Sequence, residues 1–126
     1  MEPNRSRARS ALALAALLGL AGATHFTRPK YYDAIVPRAL PGTLRQWTYA
    51  SGVAELALAT AVAAPRTRRL ASFAAAAFFV AVFPANVKMA LDFRSKSPKA
   101  RALAYGRLPL QIPLVAWAWK VAKASP

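Results

Sequence analysis

The sequence predicts an all-α fold: a membrane-embedded, four-helix antiparallel bundle with a proline-rich interfacial loop between helices one and two. Three observations carry this. Hydrophobic residues make up 56% of the 126-residue chain and fall in blocks. The 18 Lys and Arg outnumber 4 acids, for a net charge of +14, and they lie between the apolar blocks. One carboxylate, Glu55, stands inside an apolar run. Within a span such a group costs about 2.5–3.5 kcal/mol, so it calls for a polar partner or a watery cavity.

The length suits one domain. The expected layout is a basic N-terminus over 1–9, one transmembrane domain over 10–121 and a tail over 122–126. The spans are expected at about 10–26, 47–64, 70–93 and 108–121. A balance this basic first points to nucleic acid. The distribution points away from it, because charges that flank apolar runs follow the pattern of membrane spans. Anionic lipid headgroups then become the counter-charge, at about 1 kcal/mol per Lys or Arg. The chain has no cysteine. That excludes disulfides, thiol relays and thiolate-held metals or clusters within it.

Taken in order, Arg5, Arg7 and Arg9 precede the first apolar run, ALALAALLGLAGATHF over 11–26. The same stretch also reads as a secretory signal with Ala21-Gly22-Ala23 as its cleavage site. Against that, apolar character continues to Phe26 and further spans follow. Residues 27–46 contain Pro29, Pro37 and Pro41, which break any long helix. Tyr31 and Tyr32 belong at headgroup level, so this loop is expected to fold back as an interfacial cap.

The second span opens with Trp47 and Tyr49 as anchors. Ser51 and Glu55 share a helix face, and Gly52 permits close approach of a neighbouring helix. A tight basic turn, PRTRR, follows over 65–69. Pro84 predicts a kink in the third span, because its ring removes a donor and frees the carbonyl of Val80. Asn86 comes two residues later, and Lys88 and Asp92 are one turn apart. Residues 94–107 read as a second basic connection. The fourth span, 108–121, is short, with Pro109 in its first turn and Pro113 deeper. Trp117 and Trp119 anchor its exit while Lys120 and Lys123 snorkel.

Antiparallel spans fix depth. Glu55 lies roughly 12 Å below Trp47, and Asn86 roughly 10 Å from the same surface, at 1.5 Å per residue. His25, Ser51, Arg107 and Gln111 fall in the same half. Two readings compete for this polar half. In one, these side chains are interhelical glue worth about 0.6–2 kcal/mol each, with Glu55 neutralised by Arg107 or a proton. In the other, they line a pocket for a small amphipathic ligand such as a quinone or a lipid headgroup. A single histidine makes no metal site, and no nucleophile triad or phosphate loop is present. Basic residues are nearly even on the two sides, so charge does not set the orientation.

These residues lie in an ordered set of motifs. They are H-F-x-x-P-x-Y-Y-x-x-I-V-P-x-x-L-P over 25–41, S-G-x-x-E-L over 51–56, P-R-T-R-R-L-A over 65–71, F-P-A-N-x-x-M-A over 83–90 and R-L-P-L-Q-x-P-L over 107–114. With them the chain resembles the DoxX-like family of small four-helix integral membrane proteins. The resemblance implies a multi-pass protein of the plasma (inner) membrane with both termini cytoplasmic. Relatives include subunits of quinone-linked sulfur oxidoreductases and of redox-associated complexes, assembly factors and proteins without assigned activity. The cysteine pairs of thiol-redox relatives are missing, so thiol transfer does not carry over. Lys88 stands where the motif has an apolar or aromatic residue.

Two functions follow as expectations. The first is a non-catalytic subunit or helper of a membrane or redox complex, or a homo-oligomer, with no catalytic residue and no evident cofactor. The second is a quinone- or lipid-binding protein in electron or proton transfer, with Glu55 exchanging the proton and His25, Ser51, Asn86, Arg107 and Gln111 lining the site.

Overall fold

The computed structural model describes residues 2–34, 36, 39–93 and 95–126; the side chains of residues 2–4, 31, 93, 100, 103 and 104 lie outside the description. Ile35, Pro37, Arg38 and Arg94, read above as loop and flanking residues, therefore lie outside the described residues, as does the side chain of Tyr31.

Among the described residues the chain is all-α, with four helical rods and no strand. α1 is Glu2–Thr27, and the short α2 is Pro29–Asp33. α3 is Leu44–Ala63. The third rod is α4, Arg68–Ala81, followed by α5, Phe83–Phe93, and the fourth is α6, Pro98–Ala124. α1 packs on α3, α3 on α4, α4 and α5 on α6, and α6 returns to α1, so the four rods close a ring.

Several boundaries differ from the sequence reading, each for a local reason. α1 begins at Glu2 rather than near residue 10, because Pro3 falls in the first turn, where it is tolerated, and Arg and Ala both favour a helix. α3 begins at Leu44 behind a capping box that the T-x-x-Q spacing encodes. The Thr43 hydroxyl accepts from the Gln46 amide at 3.1 Å, and the Gln46 side chain accepts from the Thr43 amide at 3.0 Å. Gly42, at φ +84°, supplies the left-handed turn leading into it.

The largest correction is to residues 94–107. Most of this expected connection is helical, since α6 starts at Pro98 and runs for 27 residues, about 40 Å. Pro98 suits the first helical position, and Lys99, Arg101 and Ala102 are strong helix formers. Pro109 is consequently interior to α6, as is Pro113. Both rings are exposed, and each removes the donor for the carbonyl four residues earlier.

The break expected at Pro84 falls at Val82, between α4 and α5. The Val82 amide still reaches the Phe78 carbonyl at 3.0 Å, and the Val82 carbonyl accepts from Ala85 and Asn86 as a new helix starts.

Basic flanking residues hold helix ends. Arg68 donates to the carbonyls of Val62 at 2.8 Å and Ala63 at 2.9 Å, at the last turn of α3. Arg69 donates to Ser125 at 3.0 Å and Ala122 at 3.4 Å, at the end of α6. Cations at helix C-termini satisfy orphan carbonyls and complement the macrodipole.

The apolar core occupies one end of the ring. It contains Ala11, Leu14 and Leu18 of α1, Val62 of α3, Ala71, Ala75 and Phe79 of α4, and Ala118 and Val121 of α6. The residues a cleavable signal would remove thus supply part of the core. Ser72 and Ser125 are buried at this end, and the other end holds the buried His25, Thr48, Glu55, Asn86 and Gln111.

Candidate functional site

α1 and α3 cross where both are glycine. A Cβ on Gly22 would meet the Leu56 side chain at 2.9 Å and the Gly52 carbonyl at 3.1 Å. A Cβ on Gly52 would meet the ring of Phe26 at 2.7 Å and the Cβ of His25 at 2.8 Å. Backbones this close carry their polar side chains together. One turn on from Gly52, the Oε1 of Glu55 lies 3.6 Å from the Nε2 of His25, with both side chains buried.

The other ring nitrogen of His25 fixes the tautomer. Nδ1 lies 2.7 Å from the Ala21 carbonyl. A carbonyl oxygen only accepts, so Nδ1 carries the hydrogen. A neutral His25 therefore turns a bare Nε2 lone pair toward Glu55. Two acceptors facing each other in a buried site repel, and one proton between them removes the conflict.

Across from this pair, the break in the third rod orients Asn86. Its Nδ2 donates to the Oε1 of Gln111 at 2.7 Å, and the Nε2 of Gln111 donates to the Phe79 carbonyl. Arg107 stands one turn before Gln111 on α6, half-buried, and donates from Nη1 to the Sδ of Met89 at 3.4 Å.

His25, Ser51, Glu55, Asn86, Arg107 and Gln111 all line one cavity of about 220 Å³. All six residues singled out from the sequence thus meet there. Its apolar wall includes Leu17, Phe78, Phe79, Val82, Leu110 and Leu114. Tyr32 and Thr48 line it too, and the sequence reading missed them in this role. The sequence reading has Glu55 neutralised by Arg107 or by a proton. His25 makes the contact, while no ion pair joins Glu55 to Arg107 among the described residues.

Tyr32 turns inward instead of serving only as an interface ring. It stacks on His25 with centroids 3.7 Å apart and planes 16° off parallel. Its hydroxyl lies 2.5 Å from the Thr24 hydroxyl, whose hydrogen goes to the Ala21 carbonyl, so Tyr32 donates. The other expected interface rings divide. Trp47 and Trp119 are exposed, Trp47 donating to the Pro41 carbonyl at 2.6 Å. Trp117 is half-buried and donates to the Ser10 hydroxyl at 2.8 Å, tying α6 to α1.

α2 is strapped over the cavity by charge. Asp33 accepts from the buried Thr48 hydroxyl at 2.5 Å and from the Nε of Arg45 at 2.9 Å. Desolvation pushes the Asp33 carboxyl up, but the Thr48 hydrogen bond and the Arg45 guanidinium outweigh it and hold it below the ordinary carboxylate value. On the far side, Lys88 donates to the Ala34 carbonyl at 2.9 Å and to Asp92 at 2.6 Å. Lys88 thus fastens the strap to α5. No cluster of three or more metal-ligating side chains occurs among the described residues.

Over residues 14–122 the chain matches a family described as a domain of unknown function, DUF8561. The chain belongs to that family. All six polar cavity residues fall inside the matched region. No curated protein and no solved structure matches the chain. Two helical stretches, Arg5–Thr27 and Arg68–Asp92, are long and apolar enough to cross a membrane.

Proposed function

We propose that the protein is a small integral membrane protein whose cavity binds an amphipathic molecule of the quinone or lipid type, with the His25–Glu55 pair exchanging a proton with it. The observation that carries this reading is an inversion of polarity. His25, Glu55, Asn86 and Gln111 are buried around the cavity, while Leu20, Leu70 and Ile112 are 71%, 78% and 75% exposed. In water the preference runs the other way. A bilayer favours apolar outer faces and sends ionisable groups to the interior or to a cavity.

The chemistry follows from the pair. A proton shared between a carboxyl and an imidazole can pass to a ligand oxygen or be taken from one. Tyr32 of α2 lines the cavity together with the polar and apolar side chains, so a ligand head sits by the polar groups and its tail among the apolar ones. The ordered motifs support a DoxX-like membership, and with it a plasma-membrane location and cytoplasmic termini.

Two measurements test this. In carbonate extraction of membranes the protein is expected in the pellet; release into the supernatant overturns the membrane reading. In neutral detergent, Glu55→Gln is expected to change bound quinone or lipid and any quinone-linked reductase activity of the host complex. No change in either removes the proton-exchange role.

A second reading, as a subunit or helper of a larger membrane complex, has its own support. An alanine-lined groove between α3 and α4, with Ala54, Ala57, Ala61, Ala71, Ala74 and Ala77 on its walls, offers the small residues against which another helix packs closely. Pull-down in mild detergent that returns only the free chain speaks against it.

A further inference from the structure

We infer that the ligand of this cavity is an anionic amphiphile, one oxyanion on an apolar chain, received by Arg107. The inference rests on the ligand-binding reading above and specifies the ligand's charge.

The charged groups on the cavity wall are not all in contact with a partner. Glu55 is the one carboxylate among the lining residues, and it faces His25. With the Nδ1 of His25 committed to the Ala21 carbonyl, Nε2 faces Glu55, and one proton between them makes the pair neutral. Arg107 does not lose its proton in proteins. Its hydrogen-bond acceptor is the Met89 thioether at 3.4 Å, a weak one. Among the described residues no carboxylate lies within 4 Å of it. Glu55 acts on it only from beyond contact distance, so a half-buried guanidinium is left without a contacting counter-ion, a place that an anion in the cavity fills.

The fork of N–H groups on Arg107 matches a carboxylate or a phosphate with two parallel bonds. Asn86 and Gln111 are already engaged with each other and with the Phe79 carbonyl. Arg107 is thus the donor with capacity to spare. Leu17, Phe78, Val82, Leu110 and Leu114 provide the surface for the first carbons of a chain. At about 220 Å³ the cavity equals the liquid volume of about seven waters, at roughly 30 Å³ each. That suits a head and a short length of chain. A neutral ring such as a quinone would leave the guanidinium unpaired.

The test uses the full chain in a neutral maltoside detergent, with native mass spectrometry and tryptophan quenching as readouts. The probes are oleate, methyl oleate, phosphatidylglycerol and decylubiquinone. Oleate or phosphatidylglycerol is expected to bind, and the one that does names the source of the oxyanion. Methyl oleate, with the same tail and no charge, is expected to bind far more weakly. R107Q should weaken the anion by about thirtyfold or more, the scale for losing one partner of a buried charge pair. R107K, which keeps the charge and loses the fork, should bind the anion more tightly than R107Q and more weakly than wild type. L114W, which fills the cavity from its apolar wall, should abolish binding while the circular dichroism spectrum is unchanged.

Equal binding of the anion by wild type and R107Q overturns the inference, as does equal binding of oleate and its methyl ester. If decylubiquinone binds and the anions do not, the inference fails while the ligand-binding reading stands. If no probe binds, both fall.

Discussion

Gly52 stands so close to α1 that a Cβ on it would lie 2.8 Å from the Cβ of His25. The contact sets the spacing of the first two rods, and that spacing brings His25 within 3.6 Å of Glu55. Gly52→Val is therefore expected to destabilise the fold by about 1–3 kcal/mol, as overpacking does. Gly106, with nothing within 4 Å of an added Cβ, is the control. Gly106→Ala should be neutral or gain about 0.5–1 kcal/mol in helix propensity. Thermal unfolding of both variants in detergent checks the contrast.

The buried amide pair makes a second prediction. Asn86→Leu leaves the Oε1 of Gln111 without its donor, at about 1–3 kcal/mol for an orphaned buried acceptor. Replacing both residues with leucine should cost less than the sum of the single changes, because the two act as a unit. A double-mutant cycle on unfolding midpoints reads this directly, and simple additivity would contradict it.

The α2 strap should respond to acid. The folded-state pKa of Asp33 is depressed. Its contribution is therefore present above the unfolded value and lost as pH falls through the folded one, below the ordinary carboxylate range. Trp47, which donates to the Pro41 carbonyl, reports the strap by fluorescence. The expected result is an acid transition in Trp47 emission that Asp33→Asn abolishes at every pH. Lys88→Met should loosen the same strap from α5 by removing the bond to the Ala34 carbonyl.

Ser72 predicts a gain. It is fully buried in α4, and its hydroxyl has no hydrogen-bond partner. Ser72→Ala removes an unsatisfied polar atom, so stability should rise by about 1 kcal/mol. A fall in melting temperature would contradict this.

Much of the site can be read from spacing alone. Helical rise and an antiparallel order suffice to put Glu55 and Asn86 at one depth, and all six polar residues meet in the cavity. Gly52 and Pro84 act locally, so their effects are visible in the sequence. Other features depend on contacts that hydropathy does not encode. Residues 98–107 read as loop because charge outweighed helix propensity, although Lys, Arg and Ala favour a helix. Arg68 and Arg69 read as headgroup-facing charges, yet they hold carbonyls that only the fold brings near. The inward turn of Tyr32 and the bond from Thr48 to Asp33 join residues eight or more positions apart. The T-x-x-Q box was the one overlooked signal within reach, and it moves the start of α3 to Leu44.

His25 and Glu55 belong to consecutive rods. A nascent chain that has emerged from the ribosome as far as Ala64 already contains both members of the pair, together with the glycines that let them meet. If this hairpin enters the translocon as a unit, its acid travels with a base beside it before α4 to α6 have been synthesised.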